Sequence, residues 1–260
     1  MSIPLPKRIS GRDNPEFKRF LAVRARKNRD LILVEGPKLL DEALRSNLLV
    51  RAVASDESIS HPAHLKAPSF LFSAALMKSL SEVETHRGVI ALVDRPRFTR
   101  DFLNAKDAFV LVLDGLLDPG NVGTLFRTAE AAGVSGVLLT RGCADPLSPK
   151  ALRASAGSAF RLPHLLDLSI DELLKALPAR IRLVATVAAN APSLFGDTLL
   201  SLPLALALGS EGSGLDPRIE KAAAHRVRIP GARKVESLNV AVAGAIAMFD
   251  IARRAGILRN

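Results

Sequence analysis

The chain has 260 residues, 48% of them hydrophobic, and a formal net charge of +10. That much apolar side chain builds a sizeable core and excludes global disorder, while 4% aromatics with no Trp and no Tyr exclude a binder that relies on stacking bases. One cysteine, Cys143, excludes an internal disulfide and suits a reducing cytoplasm, and no apolar run reaches the roughly 20 residues of a membrane span.

The charge is uneven. Residues 1–100 hold 18 Lys and Arg against 11 Asp and Glu, whereas residues 101–260 hold 18 against 15. Residues 1–30 alone hold 9 against 3. A basic leading half points to a polyanion partner, most simply nucleic acid; the bland alternative is a solvated basic surface. The opening Met1 to Arg8 lacks an apolar h-region, so a secretory signal is not expected.

Helical spacing of Phe17, Phe20, Leu21 and Val23 predicts a helix over 14–27, with Lys18, Arg19, Arg26 and Lys27 on its other face. Leu31 to Val34 reads as a buried strand. Glu35-Gly36 opens a helix carrying Leu39, Leu40, Ala43 and Leu44 on one face. Strands over 48–53 and 88–93, with a helix over 73–81 between them, complete a small α/β unit over 1–95. Residues 96–107 read as a linker.

The second unit, 108–260, is more regular. Strands are predicted over 108–113, 136–140, 181–187, 204–208 and 227–229. Helices are predicted over 122–132, 148–156, 170–177, 217–224 and 238–255, with an extended piece over 158–162. Continuous apolar strands alternating with helices argue for a parallel sheet covered on both faces.

Ligands of such sheets bind outside the carboxyl ends of the strands, and three turns there stand out. The first runs from Asp114 to Arg127, with Asn121 where an N-cap belongs and Arg127 beside the apolar stripe Val122, Leu125, Phe126 and Ala129. A solvated helix charge explains Arg127 equally well, and a close helix–strand contact explains Gly123. The second is Leu208-Gly209-Ser210-Glu211-Gly212-Ser213-Gly214, whose glycines permit close backbone approach. It is neither a dinucleotide fingerprint nor a P-loop. The third is Ile229-Pro230-Gly231 followed by Ser237-Leu238-Asn239-Val240, with polar groups at a helix start. Ordinary capping accounts for one polar residue there.

The three turns in this order resemble the motifs of the SpoU-like (TrmH) RNA ribose 2′-O-methyltransferases of the SPOUT superfamily, over about residues 108–255. The leading unit resembles, more loosely, the ribosomal-protein-like substrate-binding domain often fused ahead of that catalytic domain. The resemblance implies an α/β fold with a deep trefoil knot, S-adenosylmethionine as methyl donor and a homodimer; the two-domain layout favours ribosomal RNA as substrate, and the lone cysteine a cytoplasmic location. By position it implies Arg127, Asn121, Ser237, Asn239 and Glu211 as catalytic residues. Leu208, Gly209, Gly212, Thr186, Ile229, Pro230 and Leu238 would contact the cofactor. Lys18, Arg19, Arg26 and Lys27 would hold RNA, and no metal is implied. Two positions depart from the common pattern: Ser210 stands where many members have Asn, and Ala241 where many have Ser.

The expected reaction is in-line attack of a ribose 2′-oxygen on a sulfonium methyl. Arg127 grips the adjacent phosphate and the developing alkoxide, since a guanidinium is a poor literal base. Alternatives are a transfer-RNA substrate, a catalytically silent RNA-binding relative, or a nucleotide-cofactor oxidoreductase. The absent dinucleotide fingerprint weighs against the last.

Overall fold

The computed structural model describes residues 6–56, 67–81, 88–196, 200–232 and 237–258. The chain separates into two units. Residues 1–97 form the first together with 147–160, a stretch inside the span expected for the second; residues 98–146 and 161–260 form the second.

The first unit is built on five strands: β1 (Lys7–Ile9), β2 (Leu31–Glu35), β3 (Val50–Ser55), β4 (Ser69–Phe72) and β5 (Val89–Asp94). They lie in the order β1-β4-β3-β5-β2. β5 runs antiparallel to both of its neighbours, β3 and β2. Helix α1 (Pro15–Arg24) is capped by Asn14, whose side chain accepts from the Glu16 amide. It buries Phe17, Phe20 and Val23 beside Leu76, Met77 and Leu80 of α3 (Ala74–Leu80). Phe72 meets Phe17 and Phe20 edge-to-face, with centroids 5.7 and 5.3 Å apart. Helix α2 (Pro37–Arg45) completes the leading part of the unit.

The second unit holds six strands: β6 (Phe109–Asp114), β7 (Gly136–Thr140), β8 (His164–Leu168), β9 (Arg182–Thr186), β10 (Leu204–Gly209) and β11 (His225–Val227). Their order is β11-β9-β10-β6-β7-β8, and every pairing is parallel. β6 and β7 are buried at every position, which is why they read as unbroken apolar runs.

Alternate strand residues divide between two cores. Val110, Val112, Leu183, Ala185, Ala205 and Ala207 pack with α6 (Ile170–Ala176) and α7 (Pro217–Ala222). The stretch 96–107, read as a linker, contributes to this core as well: its 3₁₀ turn Arg100–Asn104 buries Phe102 and Leu103. The opposite face carries α4 (Pro119–Ala131) and α8 (Val240–Arg254). Gly244 lets α8 sit close, since a Cβ there would run into the side chains of Leu125 and Leu208. The remaining helix, α5 (Pro149–Ser155), is followed by a 3₁₀ turn at Ser158–Phe160 where an extended piece was expected. The last strand lies two residues earlier than predicted, at 225–227.

Candidate active site

Asp118, not Asn121, caps α4: its carboxylate accepts from the Gly120 and Asn121 amides at 3.2 and 3.3 Å. Pro119 follows at the first helical position, where a missing N–H costs nothing. Asn121 is thereby freed to turn its side chain outward from the helix start. Its Nδ2 donates to Glu211 Oε1 at 3.2 Å.

Glu211 stands on the turn after β10. Backbone bonds between Ser210 and Gly214 in both directions, 3.1 and 3.0 Å, close this turn on itself. The Ser210 and Ser213 hydroxyls meet at 2.7 Å. Gly209 is required where the turn folds back, because a Cβ there would collide with the backbone of Gly214 and Leu215. No side chain can move aside to make room.

Asn239 caps α8, its Oδ1 accepting from Ala241 and Val242 amides at 3.0 and 3.3 Å. Its Nδ2 donates to Glu211 Oε1 at 2.7 Å and to Asn121 Oδ1 at 3.1 Å. The Val240 amide adds a fourth contact, at 3.3 Å from Glu211 Oε1. One carboxylate oxygen thus gathers the three turns and lies over the positive end of a 15-residue helix.

Two predicted residues stand outside this cluster. Ser237 is exposed, lies before the cap, and makes no hydrogen bond among the described residues. Arg127 is exposed and has no hydrogen-bond or ion-pair partner among the described residues. Six residues beyond Asn121 on α4, it projects about 120° around the helix from it. Between the third turn's strand and its helix, residues 233–236 lie outside the described residues.

The start of the loop that follows β6 is pinned by a second polar group. Buried Asp114 accepts from the Thr140 hydroxyl at 2.8 Å and the Asp216 amide at 2.7 Å. Thr140 Oγ1 in turn accepts from the Gly115 amide at 3.0 Å. Sequence reasoning missed this tie, though an Asp ending an apolar strand was its visible signal. Cys143 packs here, and burial pushes its thiol pKa up, which disfavours the thiolate.

For a cofactor, the carboxyl ends of β9 and β10 are informative. The ladder from β10 to β9 stops at Ala207, whereas that to β6 continues to Gly209. The β9-facing side of Leu208–Gly209 therefore has no strand partner among the described residues. Thr186 closes the ladder with its hydroxyl on the Ala207 carbonyl at 2.7 Å. Leu238 is 44% exposed, an apolar side chain one residue before Asn239. Gly212 and Pro230 are exposed, and Ile229 half-buried. Open main-chain groups at Leu208–Gly209 and an exposed apolar side chain at Leu238 fit an adenosine-bearing ligand. Among the described residues no group of three or more His, Cys, Asp or Glu could hold a metal. Nor, among these residues, is any helix long and apolar enough to cross a membrane.

Of the predicted RNA contacts, Lys18 lies 3.2 Å from Asp13 and Arg19 lies 3.6 Å from Glu16. Arg26 and Lys27 are exposed beyond the end of α1.

Comparison with known proteins shows the family. Residues 108–249 match the model of the SpoU rRNA Methylase family. An uncharacterized tRNA/rRNA methyltransferase of Synechocystis sp. is 32% identical, over 95% of this chain and 93% of its own. The 23S rRNA (guanosine(2553)-2′-O)-methyltransferase RlmP of Bacillus subtilis is 31% identical, over 94% and 99%. Among solved structures, the SpoU methyltransferase AviRb of Streptomyces viridochromogenes, in complex with AdoMet, superposes with a TM-score of 0.84. It is 26% identical, over 93% of this chain and 98% of its own. An AdoMet-bound rRNA methyltransferase of Sinorhizobium meliloti gives 0.83 at 27% identity, over 97% and 99%.

Proposed function

The chain belongs to the SpoU rRNA methylase family, and from that premise we propose that it transfers a methyl group from S-adenosylmethionine to a ribose 2′-hydroxyl of ribosomal RNA. The observation that carries the reading is the convergence of Asn121 and Asn239 on one oxygen of Glu211, which joins three turns far apart in sequence.

S-adenosylmethionine supplies a methyl group on a sulfonium, which leaves as a neutral thioether. The chain's residues then have two tasks, positioning and handling one proton. Leu208, Gly209, Ile229 and Leu238 would hold the donor, with Thr186, Gly212 and Pro230 at the rim. Asn239, held from both sides, orients the ribose. Glu211 Oε1 is spent on Asn121, Asn239 and Val240. Its Oε2 has no partner among the described residues and is open to accept the hydroxyl proton. Arg127 binds the phosphate next to the target ribose and stabilises negative charge developing on the 2′-oxygen. Ser237 supplies a free hydroxyl beside the same helix start.

The proposal includes a homodimer. Val242 and Phe249, 49% and 42% exposed, lie seven residues apart on one face of α8 and offer an apolar surface to a second copy. It also includes a trefoil knot over the second unit. Support comes from the chain path: β11 lies outside β9, yet α8 returns to pack on α4 and β10. On the way Arg228 bonds Pro192 and Leu194 through its backbone, and Arg254 reaches the Leu194 and Gly196 carbonyls. The first unit is proposed to hold RNA by its cations, and a cytoplasmic site of action goes with the reading.

The test is direct. Purified protein, S-adenosylmethionine and ribosomal RNA should yield a new 2′-O-methyl mark, mapped by resistance to alkaline cleavage. Cofactor binding without any transfer would support instead a catalytically silent relative.

A further inference from the structure

The first unit carries its charge unevenly. Residues 24–29 read Arg-Ala-Arg-Lys-Asn-Arg, four cations without an acid, and all six are exposed. They form the exit of α1 and the approach to β2. Strand pairing brings further cations to this place. Leu31 pairs with Asp94 at the end of β5, and the Arg95 amide donates to the Asp30 carbonyl at 2.8 Å. Arg97 lies 2.5 Å from Asp30, while Arg51 grips Asp94 with two bonds of 2.7 and 2.8 Å. With Arg51, Arg95 and Arg97 the patch holds, among the described residues, seven cations against two carboxylates, Asp30 and Asp94. The start of α1 is different: Lys18 and Arg19 are matched there by Asp13 and Glu16.

Arg26 adds an independent sign. It follows the C-cap Ala25 with φ +57°, the left-handed conformation that helix ends usually give to glycine. A side chain with a Cβ is strained there, and strain of this kind gathers at functional positions. The fold asks for no arginine at this point. The side chains of Arg26, Lys27 and Arg29 have no hydrogen-bond or ion-pair partner among the described residues.

We propose that this edge of the first unit, centred on Arg26, Lys27 and Arg29, docks the phosphate backbone of a double-helical RNA stem in the substrate. The proposal rests on the reading of the protein as an RNA methyltransferase. A stem is favoured over a single strand because the patch offers no aromatic side chain on which to stack splayed bases. Every phenylalanine of the first unit, Phe17, Phe20, Phe70, Phe72 and Phe160, is buried, and the chain has no Trp or Tyr. What remains is fixed positive charge, which reads phosphates by their spacing rather than bases by their edges.

The test uses the full chain, a 5′-labelled RNA duplex of about 16 base pairs, the length a shape-reading domain spans, and an unstructured strand of equal length. Binding is followed by anisotropy across a salt series. The triple variant Arg26→Gly, Lys27→Ala, Arg29→Ala should bind the duplex about tenfold more weakly, with a log K against log salt slope shallower by roughly two to three. Lys18→Ala with Arg19→Ala should give a smaller loss. Arg26→Gly alone should not lower the melting temperature, because it relieves the left-handed strain; lost affinity then reports binding rather than unfolding. An unchanged salt slope in the triple variant, or tighter binding of the unstructured strand, overturns the proposal. Methyl transfer by the unaltered chain to ribosomal RNA decides the underlying reading separately: transfer with an unchanged triple variant removes only the patch.

Discussion

Glu211 and Asn239 meet through a 2.7 Å bond that joins the turn after β10 to the cap of α8. The same oxygen also receives Val240 N–H and Asn121 Nδ2. A glutamine at 211 keeps an acceptor but loses the charge over the helix end. An alanine leaves both amides without it. Methyl transfer should fall about tenfold in Glu211→Gln and about a hundredfold in Glu211→Ala, the scale of a misplacement near 1 Å. Single-turnover assays at saturating cofactor read this, and equal rates in the two variants would show that geometry is not what Glu211 supplies.

Arg127→Ala should keep the fold and cofactor affinity but lose transfer by about 10² to 10³, the cost of removing a donor to developing oxyanion charge. Arg127→Lys should recover only part, because an ammonium cannot grip a phosphate with two parallel donors. Near-normal turnover of the alanine variant would sink the assignment. Calorimetry with S-adenosylmethionine separates loss of binding from loss of chemistry.

The two close-approach glycines should respond differently to alanine. At Gly244 the added Cβ meets the side-chain ends of Leu125 and Leu208, which can shift. Overpacking costs about 1–3 kcal/mol, offset by about 1 kcal/mol of helix propensity; urea unfolding should show a net loss of about 1 kcal/mol with activity retained. At Gly209 the obstacle is backbone, so the turn itself must open. Gly209→Ala should abolish transfer even where the protein remains folded by circular dichroism.

Much of the second unit was legible because its strands are buried on both faces, so that Val110, Leu139 or Leu206 sit in runs no helix pattern explains. Three short edge strands were less so. β1 and β8 mix exposed and buried positions over 3 and 5 residues, and β11 spans His225-Arg226-Val227 with one buried side chain. The caps show the same limit. Asp118 and Asn121 are both good cap residues three apart, and only the placement of Pro119 separates them. Arg127 was matched by motif alone, and its helical phase turns it about 120° from Asn121. The bond between Asn121 and Asn239 spans 118 residues, and nothing in local pattern announces it.

Thr140 lies between two loops as donor to Asp114 and acceptor from Gly115. Thr140→Val keeps the volume and leaves both partners unsatisfied near the base of the site. Unfolding free energy should drop by about 1–3 kcal/mol, measured in urea. A drop under about 0.5 kcal/mol would mean that water replaces the hydroxyl there.

Asp216 caps α7, and hydrogen bonds from the Arg218 side chain and backbone hold its carboxyl below the ordinary aspartate pKa. The folded-state value is thus below the unfolded one. The stabilisation is complete above about pH 4, the unfolded aspartate range, and is lost as pH falls further. Asp216→Ala should cost about 1 kcal/mol at neutral pH, the usual value of a cap. The gap between variant and parent in thermal melts should close in acid; a gap that widened there would reverse the sign.

A carboxylate shared by three turns also constrains how the sequence can drift. Exchanging Asn121 or Asn239 alone strands a partner, whereas a matched exchange at both can restore a donor and an acceptor to Glu211. Across related chains these three positions should therefore vary as a set or not at all, while their immediate neighbours in each turn change independently.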